Sequence, residues 1–199
     1  MIREVNYNEI FDAQVHFRLI LDSMARPGKV NNFGKIAIQS VNDLHPASAL
    51  VAFALLNREV TFYTNKNNNP EITEYFIVNT NSKPVEINNA DFVFINGTDD
   101  GKILLETNTG ILEYPEKSAT IIIDVDNIYD VPRDQTHEII LKGPGVNNEK
   151  RVYIRNISND ILQSLKEQNA EYPLGIDVIL TDSEGNIMCI PRTNNFSWN

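Results

Sequence analysis

A single cysteine, Cys189, is the whole thiol complement of the chain, so no intrachain disulfide is possible and a bridged framework is excluded. Its neighbours Met188 and Ile190 point to a buried, inert thiol rather than a nucleophile, and a reducing cytoplasm is the simplest setting. Positive charge is short as well. Seventeen Lys and Arg stand against 27 Asp and Glu, for a formal net charge of −10 and a pI of about 4.7. A field of that sign repels nucleic-acid backbones and anionic membrane surfaces, so neither is an expected partner. Long apolar runs are missing too: none approaches the ~20 residues that cross a bilayer. The N-terminus lacks a basic region followed by an apolar stretch, so the chain is expected to be neither secreted nor membrane-embedded. Three histidines, His16, His45 and His137, lie without ligand spacing, which leaves no metal site to read and a structural or solvated role for each.

What is present suits one globular unit. At 199 residues and 42% hydrophobic, the chain can bury a sizeable core, and residues 1–199 are expected to form a single domain. Val30 to Ile38 contains the alternating tail KIAIQ, which reads as a short strand after a loop at Asn31 and Asn32. Pro46 opens a helix at its first position, and Ala47 to Leu56 is apolar almost all round, hence core. Glu59 to Thr64 reads as a strand, Asn65 to Asn69 as a polar loop, and Pro70 as a helix start running through Ile72, Tyr75 and Phe76. Asp91 to Ile95 and Ala119 to Val125 carry apolar residues on both faces, as central strands do. Thr98 to Asp100 caps a brief helix, KILLETN, closed by Gly110. The alternation of helix and strand argues for an α/β layered fold. The second half is richer in strand: Glu138–Lys142 and Arg151–Ile154 are candidate neighbours, Ser158 or Asn159 caps a helix, and IDVILT and IMCIP flank an Asp-Ser-Glu-Gly turn as a hairpin.

The segment Ile10 to Gly28, IFDAQVHFRLILDSMARPG, has the clearest designed end. Asn8 is available as N-cap and Glu9 sits where the helix dipole favours an acid. Ile10, Ala13, Phe17, Ile20, Leu21 and Met24 fall on one apolar face. Phe11, Val15 and Leu19 share the other side with Arg18, Asp22 and Arg26, which step at i, i+4 and can form weak ion pairs. Pro27 and Gly28 end the helix. That second side either touches another element of the same chain or faces a partner.

No catalytic constellation is visible. Glu113-Tyr-Pro-Glu116-Lys-Ser118 enters a buried strand, where Glu116 and Ser118 either make contacts at its edge or simply form a turn. Gly143-Pro144-Gly145 superficially resembles a phosphate cradle. Pro144 supplies no N–H and no Gly-Lys-Ser/Thr ending follows, so a tight turn between strands is preferred. Arg192, after an apolar strand, is the cation best suited by residue type to hold phosphate or carboxylate in a bidentate grip, and Arg26 before Pro27-Gly28 is similar. Asp177 alternates with the apolar side chains of IDVIL and either faces solvent or pairs with an arginine. Arg18, Arg26, Glu116, Ser118, Asp177 and Arg192 are therefore the candidate ligand or subunit-contact residues.

Five segments in this order, FRLILDSMARPG (17–28), EYPEKSAT (113–120), LKGPG (141–145), YPLGIDVIL (172–180) and IPRT (190–193), together resemble the PhnH family of the bacterial carbon–phosphorus lyase system. The resemblance spans almost the whole chain. It implies a three-layer sandwich with a mixed sheet, like the large domain of pyridoxal-phosphate-dependent transferases but without the cofactor, and a homodimer in isolation. It implies a role as one component of a multi-subunit core complex. With its partners, that component helps to replace adenine on ATP by a phosphonate at ribose C1, giving a ribose 1-phosphonate 5-triphosphate. ATP is then used by the complex, and no cofactor is expected on this chain. The alternative is a degenerate transferase-like enzyme with its own nucleotide pocket. One cysteine cannot hold the iron–sulfur cluster of the component that cleaves the carbon–phosphorus bond. On this resemblance Phe11, Val15, Leu19 and Arg18 border a subunit contact, and Arg26 sits at a pocket.

Overall fold

Strands that carry apolar residues on both faces need cover on both sides, and four strands of this chain have it. The computed structural model describes Val5, Tyr7, Asn8, residues 10–34, Ile38, Val41, residues 44–65 and residues 70–199. Its elements run α1 (Phe11–Ala25), β1 (Asn31–Asn32), α2 (Pro46–Leu55), β2 (Thr61–Thr64), α3 (Pro70–Thr80), β3 (Lys83–Pro84), β4 (Phe92–Asn96) and β5 (Thr120–Asp124). There follow β6 (Asn127–Tyr129), β7 (His137–Lys142), β8 (Lys150–Arg155), α4 (Asn159–Gln168), β9 (Asp177–Thr181), β10 (Asn186–Ile190) and β11 (Asn195–Trp198). The expected strand in KIAIQ falls mostly outside the described residues, as do Glu9 and most of the Asn65–Asn69 loop. Asn31 and Asn32, read as loop, instead pair with β10 as an edge strand.

One mixed sheet has the order β1-β10-β9-β5-β4-β2-β3. β9, β5, β4, β2 and β3 are parallel, β10 runs antiparallel to β9, and β1 runs antiparallel to β10. Alternate residues supply two cores. Val93, Ile95, Ile121, Ile123, Val178, Leu180, Met188 and Ile190 face one side, while Phe94, Ile122, Ile179, Ile187 and Cys189 face the other. Burial pushes the Cys189 thiol pKa far up, which leaves it an inert thiol. α1, α2 and α3 cover the second side. α2 fits its sequence: Pro46 stands at the first helical position and residues 47–53 are all buried.

The other side is not a plain helical layer. It is α4 together with a four-stranded antiparallel sheet, ordered β11-β7-β8-β6, whose Ile128, Ile139, Leu141, Val152, Ile154 and Phe196 meet the central strands. The β7–β8 pair and the β9–β10 hairpin form as their sequences indicate, and Ser158 caps α4 by accepting from the Ile161 N–H at 3.2 Å. KILLETN departs from expectation. Asp100 does cap it, at 3.0 Å from the Lys102 N–H, but it is a 3-10 turn over Gly101–Glu106 and ends before Gly110.

α1 corrects the largest expectation. Asn8 does start it, its side chain accepting from the N–H groups of Ile10 and Phe11 at 3.0 and 2.8 Å while its own N–H donates to Asp12. The inward face, however, is Ala13, His16, Leu19, Ile20, Ser23 and Met24, all at least half-buried. Ile10, Phe17 and Leu21, assigned to the core by periodicity, are exposed, along with Phe11 and Val15. Two inward polar residues accompany the shift: buried Ser23 is satisfied by the Leu19 carbonyl at 2.9 Å, and half-buried His16 stacks on Tyr7 and meets the edge of Phe33.

Candidate functional site

β9 begins and β10 ends at the same edge of the central sheet, which brings Asp177 and Arg192 together. Asp177 accepts from the Arg192 backbone N–H at 2.8 Å, from Nη2 at 2.8 Å and from Nε at 3.4 Å. The remaining arm, Nη1, donates to the carbonyls of Pro115 and Gly175. Both side chains are mostly shielded, with 15% and 22% exposure. Arg192 therefore spends its fork inside the chain. It ties the 113–118 segment to the loop before β9, and just upstream of that segment the Thr109 carbonyl accepts from the Gly175 N–H at 3.0 Å.

The other glycine-bearing segments meet nearby. A Cβ on Gly145 would lie 2.5 Å from the Ala25 carbonyl oxygen and 2.7 Å from Pro27, and one on Gly28 would lie 2.7 Å from Lys150 and 2.9 Å from Leu141. The Pro27-Gly28 helix end and the Gly143-Pro144-Gly145 turn thus fit against each other because neither carries side-chain bulk there. Asn194, just past Arg192, donates to the Pro144 carbonyl at 3.0 Å. The five motif segments thus fall into two contacting groups, 113–120 with 172–180 and 190–193, and 17–28 with 141–145, which Asn194 bridges. Arg26 does not join the Arg192 pair. It is exposed and pairs with Asp22, which also holds Lys29 at 2.7 Å and Asn31 at 2.8 Å. Arg18 is exposed and has no ion-pair partner among the described residues. Glu116 is exposed in a 3-10 turn over Pro115–Lys117. The Ser118 Oγ is buried with no hydrogen-bond partner among the described residues.

Ligands of open α/β sheets usually sit beyond the carboxyl ends of the parallel strands, and that end carries a cluster the sequence reading missed. Asp124 closes β5 and is buried. It accepts from Ser48 Oγ, from Thr181 Oγ1 at 2.8 Å and from the His45 N–H at 3.1 Å. Those contacts seat a carboxylate at the N-terminus of α2, the position where a helix favours an anion. The seat is filled from within the chain. A carboxylate ending the run TIIID and a hydroxyl ending DVILT were the only sequence signals, and each alone is ordinary. Where the parallel order diverges, between β2 and β4, Asp99 accepts from the Asn96 N–H at 2.9 Å and from Asn65 at 3.2 Å. Among the described residues no group of three His, Cys, Asp or Glu side chains is placed to share a metal ion.

The fold is a mixed α/β sheet whose Asp177–Arg192 and Asp124 clusters are paired within the chain, with apolar side chains of α1 left exposed. The model of the family described as bacterial phosphonate metabolism protein (PhnH) matches residues 6–197. The chain belongs to that family. It is 25% identical over 192 residues to the alpha-D-ribose 1-methylphosphonate 5-triphosphate synthase subunit PhnH of Rhizobium meliloti (strain 1021), covering 92% of this chain and 90% of the relative. It is 32% identical over 100 residues to the putative C-P lyase subunit protein HtxG of Stutzerimonas stutzeri, covering 49% of this chain and 48% of that one. No helix among the described residues is long and apolar enough to cross a membrane.

Proposed function

We propose that this chain is a non-catalytic but required subunit of a carbon–phosphorus lyase core complex, acting with its partners in forming a ribose 1-phosphonate 5-triphosphate from ATP and a phosphonate with release of adenine. In that reaction a phosphonate oxygen bonds to ribose C1 as the bond from C1 to the adenine nitrogen breaks. The observation that carries the reading is the outward side of α1: Phe11 and Val15 on one flank, and Phe17 and Leu21 with the preceding Ile10 on the other, stand exposed on either side of Arg18. Several large apolar side chains left exposed on one helix are a signature of contact with another protein. Charge agrees. A lone binder of a triphosphate needs a basic cluster, whereas this chain carries −10 and commits Arg192 to Asp177 and to two backbone carbonyls.

The same side of α1 also suits a homodimer. Arg18, exposed and with no ion-pair partner among the described residues, lies between the apolar flanks and is open to a carboxylate of a second copy. The mixed sheet between a helical layer and a second layer agrees with a fold like the large domain of pyridoxal-phosphate-dependent transferases. Reconstitution tests the role. The other core subunits with ATP and methylphosphonate are expected to make the ribosyl phosphonate only when this chain is added, and product at the full rate without it overturns the reading. Calorimetry of the isolated chain with ATP, AMP and adenine is expected to show no tight binding; a micromolar Kd, about −8 kcal/mol, favours the enzyme with its own pocket.

A further inference from the structure

Apolar side chains stand outside the fold at a second place, close to Arg192. Ile111, Leu112 and Tyr114 on one loop and Tyr172 on another are all at least half exposed, Leu112 and Tyr172 at 70%. The two loops are held as one body. A single Arg192 nitrogen, Nη1, donates to Pro115 beside the first group and to Gly175 beside Tyr172. The Gly175 N–H reaches the Thr109 carbonyl at 3.0 Å, and the first loop closes on itself through the Ile111–Tyr114 bridge. Gly110, at a φ of +81°, allows that closure, since a Cβ there would strike the Pro115 carbonyl oxygen at 2.8 Å.

The rim is acidic. Glu113, Glu116 and Glu171 alternate with the apolar residues, are exposed, and have no ion-pair partner among the described residues. One cation, Lys117, lies over the Tyr114 ring at 4.4 Å. This differs from the outward side of α1, where Arg18, Asp22 and Arg26 mix both signs.

We infer that these clasped loops form a docking platform for another subunit of the complex, one that presents an apolar segment flanked by Lys or Arg, and that Arg192 is its positioning residue. The inference rests on the proposed role as a complex subunit. A second copy of this chain is the wrong occupant. An isologous contact sets a patch against itself, so the three glutamates would face like charges, and the chain as a whole already carries −10. A basic-flanked segment gains from the same carboxylates and buries the same apolar side chains. Arg192 acts at one remove: it touches no partner, but it fixes the distance between the two halves of the platform.

The test uses the full chain and the purified remainder of the core complex, with binding followed by light scattering and by titration at several salt concentrations. The triple charge reversal Glu113→Lys, Glu116→Lys, Glu171→Lys alters only exposed side chains, so its folding is checked independently by thermal melting. It is expected to weaken assembly by about tenfold or more and to flatten the salt dependence. Leu112→Asp with Tyr172→Asp is expected to weaken it further, while the self-association of the isolated chain stays as in the wild type. Arg192→Met is expected to lose assembly at a temperature where the variant is still folded. Unchanged assembly of the charge-reversed and apolar variants overturns the platform while leaving the subunit reading intact. Variants that alter only self-association also overturn it. A wild-type chain that joins no core subunit overturns both.

Discussion

Arg192 and Asp177 are the pair on which the motif-bearing edge depends. The guanidinium is mostly shielded and satisfies one carboxylate and two carbonyls. Removing one member of such a pair leaves the other desolvated and unpaired, so Arg192→Met is expected to cost about 3 kcal/mol, measured as a lower urea midpoint at unchanged slope. Arg192→Met with Asp177→Leu is expected to recover part of that loss, since two apolar side chains leave no orphaned charge. Arg192→Lys should behave closer to methionine than to arginine, because one ammonium cannot reproduce the forked geometry. His16 provides a separate residue-level expectation. Burial holds its pKa below the ordinary 6.5, against an opposing pull from Asp12. Below pH 6.5 the unfolded chain binds the proton and the folded chain resists it, so stability rises with pH there and the contribution is lost as pH falls from 6.5. Thermal melting from about pH 7.5 to about pH 5 is expected to show a decline that His16→Phe makes shallower. An identical decline in that variant assigns it to other groups.

At the scale of elements, the glycines show which contacts the turns exist to permit. Gly145 has a φ of +78°, and a Cβ there would lie 2.5 Å from the Ala25 carbonyl oxygen and 2.7 Å from Pro27; Gly34 has nearly the same φ, +76°, but a Cβ there would meet nothing within 4 Å. Gly34→Ala should therefore cost only the backbone term of about 1 kcal/mol. Gly145→Ala should cost that and the displacement of α1's end as well, roughly 2–4 kcal/mol in urea unfolding. The same elements mark how far the sequence could be read. β4 and β5 were legible because both of their faces are apolar, and β9 and β10 because they flank an Asp-Ser-Glu-Gly turn. β6 and β11 were not: Asn-Ile-Tyr and Asn-Phe-Ser-Trp are too short for a period to show, and β11 finds its partner β7 far back along the chain. α1 was legible as a helix but not by face, since its inward side carries the half-buried His16 and the buried Ser23 while Phe17 and Leu21 are exposed. The five motif segments were legible as a set. Their meeting was not, because Arg192 and Pro115 stand 77 residues apart and only the parallel pairing of β5 with β9 brings them to one edge.

For the whole molecule, two facts oppose each other: a charge of −10 that keeps copies apart, and apolar side chains left outside the fold on α1. A helix face of that kind is either a weak part of the core or a surface held in reserve for another protein, and the two differ in what its loss does to folding. Phe11 is 70% exposed and Leu21 57% exposed. If they belong to an interface, Phe11→Asp with Leu21→Asp should change monomer stability by no more than about 0.5 kcal/mol per site and shift light scattering from dimer to monomer. Raising the salt should then strengthen self-association of the wild type, by screening the net charge that keeps copies apart. A drop of several kcal/mol in the double variant would make these side chains part of the fold of one chain, and the outward face of α1 would then be core that the charge of the molecule has no need to guard.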